Sequence, residues 1–170
     1  AFNDSVVGIS PSSEIPPYAS QLNEETVGSK DWGVEWVSWH ENQFIIAECQ
    51  YNLGQESAAL ITLNTTLENL EQRWREFDPS CQLPRYAGVG GPELLASIMN
   101  EKYKAMFLNM QTLSDWRRTG YPLFKDNRGN STECEGGIPR RLLYPDLEKK
   151  TNANVPSGDS IFDRVENDPN

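Results

Sequence analysis

The chain has 170 residues, 37% of them hydrophobic, which is enough for one domain with a modest core. Its formal net charge of −10 excludes non-specific binding to nucleic acid, because phosphate groups repel such a field. No apolar run approaches the roughly 18 residues that a membrane-spanning helix needs.

Charge is distributed unevenly along the chain. Residues 31–100 carry ten acidic and three basic side chains, whereas residues 101–145 carry five acidic and eight basic side chains. A basic region on an acidic protein is typical of internal salt bridges, and it also suits a docking face for an anionic partner. The sequence leaves both interpretations open.

The first predicted helix runs from Ser38 to Leu53. The irregular lead-in before it, residues 1–33, contains the proline- and serine-rich stretch SPSSEIPPYAS. Ser38 and Glu41 have the spacing of a capping box, in which a hydroxyl oxygen accepts a helix amide hydrogen bond. Gly54 then follows as a residue suited to terminating the helix.

The second predicted helix carries one apolar stripe. Its large apolar residues are three or four positions apart, as one face of a helix requires. They are Leu60, Leu63, Leu67, Leu70, Trp74 and Phe77. Asp78-Pro79 ends the helix. Because the connection to the first helix is very short, residues 38–77 are predicted to form an antiparallel helical hairpin.

Two further helices are predicted after a loop at residues 78–91. Pro92 and Glu93 suit the first turn of a third helix. Its apolar stripe is predicted at Leu95, Met99, Tyr103, Met106, Phe107 and Met110. A shorter helix spans about residues 112–118 and stops at Gly120. We therefore predict an all-α fold of antiparallel helical hairpins with long irregular loops.

The carboxylates and the one histidine give little support for an active site. His40 lies in the capping box and is expected to be a surface or capping residue. Glu68, Glu71 and Glu76 are expected to form a solvated helix face, since a glycosidase needs two carboxyl groups facing each other across a cleft. No catalytic residue is therefore predicted.

Two loops resemble ligand-binding motifs only partly. The GVGG stretch at 88–91 precedes a helix but lacks the complete GxGxxG pattern. The oxygen-rich loop at 126–135 has Arg128 where a calcium ligand belongs. We therefore expect no cofactor and no metal.

The three cysteines lack the pairing that a zinc site requires, with no CxxC and no nearby histidine. Cys49 lies in an apolar helical pattern and is expected to be a small buried hydrophobe. Cys81 and Cys134 lie in loop-like stretches. A disulfide between them suits an oxidising compartment, and two free thiols are equally open.

Three tryptophans, Trp32, Trp36 and Trp39, cluster before and in the first helix. Such rings stack on sugars or on another protein, or they pack the entry segment against the helices. Trp32 and Trp36 are therefore our candidate ligand-binding residues, with simple packing as the alternative.

Two arginine motifs in the second half are more specific. Residues 116–122 read Trp-Arg-Arg-Thr-Gly-Tyr-Pro, and residues 138–145 read Ile-Pro-Arg-Arg-Leu-Leu-Tyr-Pro. In this order, with a polar loop between them, they resemble the C-terminal signature of the SusD/RagB family. The motif residues are Trp116, Arg117, Arg118, Gly120, Tyr121, Pro122, Pro139, Arg140, Arg141, Tyr144 and Pro145.

The arginines of these motifs are expected to tie the loop to the helix bundle. Arg117 and Arg118 end a short helix, where cations suit the helix dipole. Arg140 and Arg141 are expected to point to opposite sides of an extended segment, one towards a carboxylate and one exposed.

The resemblance implies tetratricopeptide-like helices in a non-catalytic lipoprotein on the outer-membrane surface of Bacteroidetes. Such proteins bind oligosaccharides or sometimes peptides, and they act as a lid on a SusC-like TonB-dependent transporter. Family members are several times longer than this chain and carry their lipid-bearing cysteine upstream. The resemblance therefore implies a C-terminal portion that partners the remaining N-terminal part of the same protein.

On this interpretation the chain has three parts: the lead-in at 1–33, a helical SusD-like region at 34–145, and an extended tail at 146–170. The alternative function is a helical-repeat scaffold that makes protein–protein contacts only.

Overall fold

The structure is a computed structural model that describes residues 29–31, 33, 35–124, 138, 140–156, 160 and 162–164. Its helices are α1 (Trp39–Asn52), α2 (Glu56–Arg75), α3 (Gly91–Ala105), α4 (Gln111–Thr119) and α5 (Asp146–Thr151). The described residues contain no β-strand. The predicted all-α fold is confirmed.

Helices α1 and α2 form the predicted antiparallel hairpin. The Ser38 hydroxyl accepts a hydrogen bond from the backbone amide of Glu41 at 2.9 Å, so the predicted helix start is confirmed. Gly54 has φ of +73° in the turn that joins the two helices, a conformation that glycine adopts without steric cost. The Thr62 hydroxyl donates to the side-chain oxygen of Gln50 at 2.8 Å, beside that turn.

One apolar core lies between α1, α2 and α3. Its members are at most 2% exposed, and they are Phe44, Ala47, Ala59, Leu63, Leu67, Leu94, Ile98 and Met99. Fully burying a large apolar side chain contributes about 1.5–3 kcal/mol, so this cluster supplies much of the stability of the three-helix unit. Leu63 and Leu67 come directly from the predicted stripe of α2.

The predicted stripe of α3 was partly wrong. Met99 is buried as expected, but Tyr103, Phe107 and Met110 are exposed. The helix ends at Ala105, and the residues that follow form a turn. Apolar residues beyond Ala105 therefore do not lie on the helix face that the spacing predicted.

The long loop between α2 and α3 is irregular but firmly attached to α2. The side-chain amide of Asn64 donates to the backbone oxygen of Tyr86 at 2.8 Å and accepts from its amide at 2.9 Å. The Glu71 carboxylate accepts from the backbone amide of Leu83 at 2.9 Å. These bonds satisfy backbone groups that no secondary structure would pair.

The region predicted as an extended tail contains the short helix α5. Pro145 precedes it, and Asp146 and Glu148 lie in its first turn, where acidic side chains suit the helix dipole. None of its residues is buried. This helix was missed because six residues are too few to show an apolar period.

Candidate functional site

An ion network joins α1, α3 and α4 at one side of the core. The Arg118 guanidinium donates through both terminal nitrogens to the Glu48 carboxylate, with Nη2 3.0 Å from Oε2. Nη2 also lies 2.9 Å from Oδ1 of Asp115. The other oxygen of Asp115 lies 2.6 Å from Nζ of Lys102. Four charges from three helices therefore form one network, in which Arg118 binds both carboxylates and Asp115 also binds Lys102.

The network balances its own charges. Glu48 and Lys102 are buried, and a buried charge is tolerated when it is paired and hydrogen-bonded. The hydrogen bond to Glu48, with a further one to Asp115, raises the pKa of Arg118 above its ordinary value. Arg118 thus acts as a fixed cation that orients two carboxylates.

An open groove of about 490 Å³ lies over this network. It is lined by Glu41, Ile45, Glu48, Cys49, Asn52, Lys102, Gln111, Asp115 and Arg118. Amide, carboxylate and guanidinium groups beside an apolar side chain suit a hydroxyl-rich ligand, because they offer donors, acceptors and an apolar contact together.

Three residues of this network, Glu48, Asp115 and Lys102, were not among the site residues predicted from the sequence. The signal for Glu48 was its position four residues after Phe44, because residues at this spacing share a helix face and a carboxylate on an apolar face needs a partner. Spacing along the chain could not identify Arg118 as that partner, because the two residues are 70 positions apart.

The structure brings the two arginine motifs together. The Arg117 guanidinium donates to the backbone oxygen of Arg140 at 2.8 Å. The Arg140 guanidinium lies 4.7 Å from the centre of the Trp116 ring, and the Phe124 ring packs on the same indole at 5.8 Å. A cation over an indole ring is a favourable contact, so residues 140–145 are held against α4.

The remaining motif residues shape the chain around this contact. Gly120 caps α4 with φ of +76°, and Tyr121 packs against the core. The Tyr121–Pro122 peptide bond is cis. Pro145 precedes α5, and Pro139 lies outside the described residues.

The prediction for the second arginine pair was partly wrong. Neither Arg140 nor Arg141 is fully exposed; both are half-buried. The Arg141 guanidinium lies 5.5 Å from the centre of the Tyr144 ring, and Arg140 lies over Trp116. Aromatic rings thus contact both guanidinium groups, where we expected one of the two arginines to be exposed.

Aromatic side chains are exposed at the end of the hairpin where α1 begins and α2 ends. Trp36 is 94% exposed, and Trp39 and Phe77 are about half exposed. Glu35 and Arg73 form an ion pair at 2.7 Å that holds the entry segment against α2. Trp32, the other candidate ligand-binding residue, lies outside the described residues.

The prediction that His40 is a surface or capping residue was wrong. His40 is buried, and its Nε2 lies 3.1 Å from the side-chain oxygen of Asn69. Burial, with the nearby positive charge of Arg73, lowers its pKa below the ordinary value. The capping role belongs to Ser38, two residues earlier, while the imidazole packs between α1 and α2.

The prediction of a solvated glutamate face holds for Glu68 and Glu76 but was wrong for Glu71. Glu71 is buried and pairs with Arg75 and Arg85. The backbone hydrogen bond from Leu83 is the main cause that lowers its pKa. Its role in the structure is to attach the α2–α3 loop.

The structure describes two of the three cysteines, Cys49 and Cys81. Cys49 is exposed and lines the groove, so the prediction of a buried hydrophobe was wrong. Helix α1 turns Phe44, Ala47 and Glu48 inwards instead. Cys81 is half-buried, and Cys134 lies outside the described residues, so their disulfide stays a prediction.

In the part of the chain that the structure describes, no group of three or more His, Cys, Asp or Glu side chains is placed to hold a metal ion. The calcium-like loop at 126–135 lies outside that part.

These features define a class: an all-α protein built on a helical hairpin, in which two arginine motifs are clamped together beside a polar groove. A model of the SusD-like family, described as starch-binding and associating with the outer membrane, matches residues 34–145. The match covers more than half of the chain, so the chain belongs to the SusD-like family, as the motifs predicted. No curated protein and no solved structure matches the chain.

The family is a binding family, and its description places it at the outer membrane. Among the described helices, none combines the length and the apolar character needed to cross a membrane.

Proposed function

We propose that this protein is the non-catalytic glycan-binding component of an outer-membrane nutrient-uptake system. It acts as a lid on a SusC-like TonB-dependent transporter and is held at the cell surface by a lipid anchor. The observation that carries this proposal is the family match over residues 34–145, which include both arginine motifs. The glycan is the expected nutrient, with a peptide as the other class that the family resemblance implies.

The exposed aromatic end of the hairpin supports glycan binding. A Trp ring presents a broad apolar face, and the CH-rich face of a sugar stacks on such a surface. Trp36 is almost fully exposed, and the Glu35–Arg73 ion pair fixes the residue next to it. We therefore assign Trp36 as a sugar-stacking residue, and we place Trp32 in the same role.

The arrangement of carboxylates supports a binding role without catalysis. A glycosidase directs two carboxyl groups at the scissile bond from opposite sides. In the groove, the oxygens of Glu48 and Asp115 bind Arg118 and Lys102. They are therefore engaged in holding three helices together.

Retardation in native gels that contain starch or another polysaccharide tests the glycan assignment. We expect one polysaccharide to slow the protein and the Trp36→Ala variant to lose most of that retardation. Leu53→Ala is the matched control, because Leu53 is an exposed apolar residue at the opposite end of the hairpin. No retardation of the native protein by any polysaccharide would favour the scaffold alternative.

The transporter and the lipid anchor need a separate experiment on the protein from its source. Detergent-solubilised membranes should yield this chain together with a TonB-dependent transporter, and the intact mass should include a lipid. A native species without lipid that purifies free of any transporter would contradict the uptake-lid assignment.

A further inference from the structure

One stripe of the groove wall lies outside the ion network. On α1, Glu41, Ile45, Cys49 and Asn52 line the groove at spacings of four, four and three residues, which places them on one face of the helix. Gln111 lines the groove from α4. Ion pairing and core packing therefore leave these five side chains available at the groove.

Three polar side chains of this stripe have no partner. Within the residues that the structure describes, the Glu41 carboxylate and the side-chain amides of Asn52 and Gln111 make no hydrogen bond or ion pair. Each amide carries two donor hydrogens and an acceptor oxygen. Ile45, 42% exposed, and the exposed Cys49 add an apolar surface between Glu41 and Asn52. The groove therefore offers donors, acceptors and an apolar contact to one ligand.

The charges at the groove select against an ionic ligand. Lys102 pairs with Asp115, and Arg118 pairs with Glu48 and Asp115, so both cations of the lining already bind carboxylates. The unpaired charge of the lining is the carboxylate of Glu41, which would repel an anion. A cationic ligand would gain little from it, because a solvated ion pair contributes little free energy. An uncharged ligand fits this lining best.

The groove walls are held in place without a ligand. The ion network joins α1, α3 and α4, the three helices that supply the lining. The groove volume of about 490 Å³ lies within the range of about 300–1,000 Å³ for small-molecule sites. A wall that is already fixed loses little conformational freedom when a ligand binds.

We propose that this groove is a subsite for an uncharged segment of a glycan, separate from the aromatic end of the hairpin. The inference rests on the proposed function and deepens it, because it names the charge class of the glycan and a second place where the glycan binds. The amides of Asn52 and Gln111 bind sugar hydroxyl groups, which donate and accept hydrogen bonds as the amides do. Glu41 accepts from a further hydroxyl, and the CH-rich face of the sugar ring packs on Ile45 and Cys49.

The thiol of Cys49 reports on the groove directly, because it is exposed and belongs to the lining. Its modification by iodoacetamide in the native full chain, followed by peptide mass spectrometry, measures whether a sugar covers it. The neutral probes are maltotriose, mannotriose and xylotriose, and the charged probes are trigalacturonate and trilysine. At twice its dissociation constant a neutral sugar should slow the modification about threefold, since only unoccupied protein reacts. The charged probes should leave the rate unchanged.

Two variants locate the bound sugar. Asn52→Ala/Gln111→Ala should lose the protection of Cys49 while its circular dichroism spectrum stays the same. Gln72→Ala is the matched control, because Gln72 is an exposed amide side chain on α2 outside the groove lining. Trp36→Ala removes the stacking ring of the hairpin end and should keep the protection, because Trp36 does not line the groove.

The outcomes separate the groove from the proposed function. Protection by a neutral sugar that the double variant loses and Trp36→Ala keeps supports the subsite. Protection by a charged probe alone, protection that survives the double variant, or protection that Trp36→Ala abolishes overturns it. Retardation by a polysaccharide without any protection of Cys49 overturns the subsite and leaves the proposed function standing. Neither retardation nor protection overturns both.

Discussion

At the residue scale, Arg118 connects the family motif to the stability of the fold. Its guanidinium has the planar fork that binds a carboxylate through two parallel hydrogen bonds, and Glu48 occupies that fork. A lysine would supply the charge but not the paired geometry. The motif arginine is thus explained by a contact that only the folded chain creates.

We predict that Arg118→Ala lowers the free energy of unfolding by about 2 kcal/mol, because it leaves Glu48 and Asp115 without their shared cation. Urea unfolding measures this loss. The matched control is Arg73→Ala, whose ion pair with Glu35 is 38% and 46% exposed and should contribute less than about 1 kcal/mol. Equal losses in the two variants would show that the network stabilises no more than a surface pair.

His40 gives a second prediction at this scale, on pH. Burial and the charge of Arg73 lower its pKa in the folded state, with Asn69 and Glu35 opposing them, while its ordinary value is 6.5. Below pH 6.5 the unfolded chain therefore binds this proton more readily than the folded chain, and stability falls as the pH drops through the lowered pKa. Above pH 6.5 the contribution of His40 to the free energy of unfolding is fully present.

The measurement is urea unfolding between about pH 7.5 and about pH 5, before most carboxylates titrate. We expect the free energy of unfolding to decline over this range in the unmodified protein. His40→Gln keeps a side-chain donor for Asn69 but has no charge to gain, so its profile should be flatter. Parallel profiles would contradict the role of His40.

At the scale of elements, the sequence predicted what local chemistry determines. Ser38 caps the start of α1 with its side chain, and Gly120 ends α4 through its left-handed backbone conformation. Both roles depend on the residue itself, so they could be predicted from position alone. The stripe of α2 was also readable, because an apolar period within one helix continues over its whole length. Contacts between elements were not readable in this way.

The errors lie where one element meets another. His40 and Glu71 were predicted to be exposed, but the neighbouring helix covers the first and the α2–α3 loop covers the second. Cys49 was predicted to be buried, but it lies at the open groove between α1, α3 and α4. Burial of a residue near the edge of an apolar face depends on its neighbour in space, which a single sequence does not specify.

At the scale of the whole molecule, the structure uses part of the basic region for internal ion pairs. Lys102, Lys104 and Arg118 each bind a carboxylate of the helical unit, as one of the two interpretations of the charge pattern predicted. This pairing leaves few exposed charges near the α3–α4 turn, residues 106–110, so its apolar side chains dominate that surface. The same stretch therefore combines internal ion pairs with an exposed apolar turn.

The packing of the molecule also predicts which part of the chain is dispensable for folding. Helix α5 has no buried residue and packs on none of the other helices. We therefore expect a chain that ends at Pro145 to keep its melting temperature within about 2 °C, since surface changes of this kind cost little.

The matched control is a chain that ends at Phe124 and so lacks Arg140. It loses the carbonyl that Arg117 binds and the guanidinium that covers Trp116, so its indole is exposed to water. We expect this second truncation to melt several degrees lower, at about 2–4 °C per kcal/mol. Differential scanning calorimetry compares the two chains. If the chain that ends at Pro145 already melted at a lower temperature, the last 25 residues would have to pack against the helical unit, contrary to this prediction.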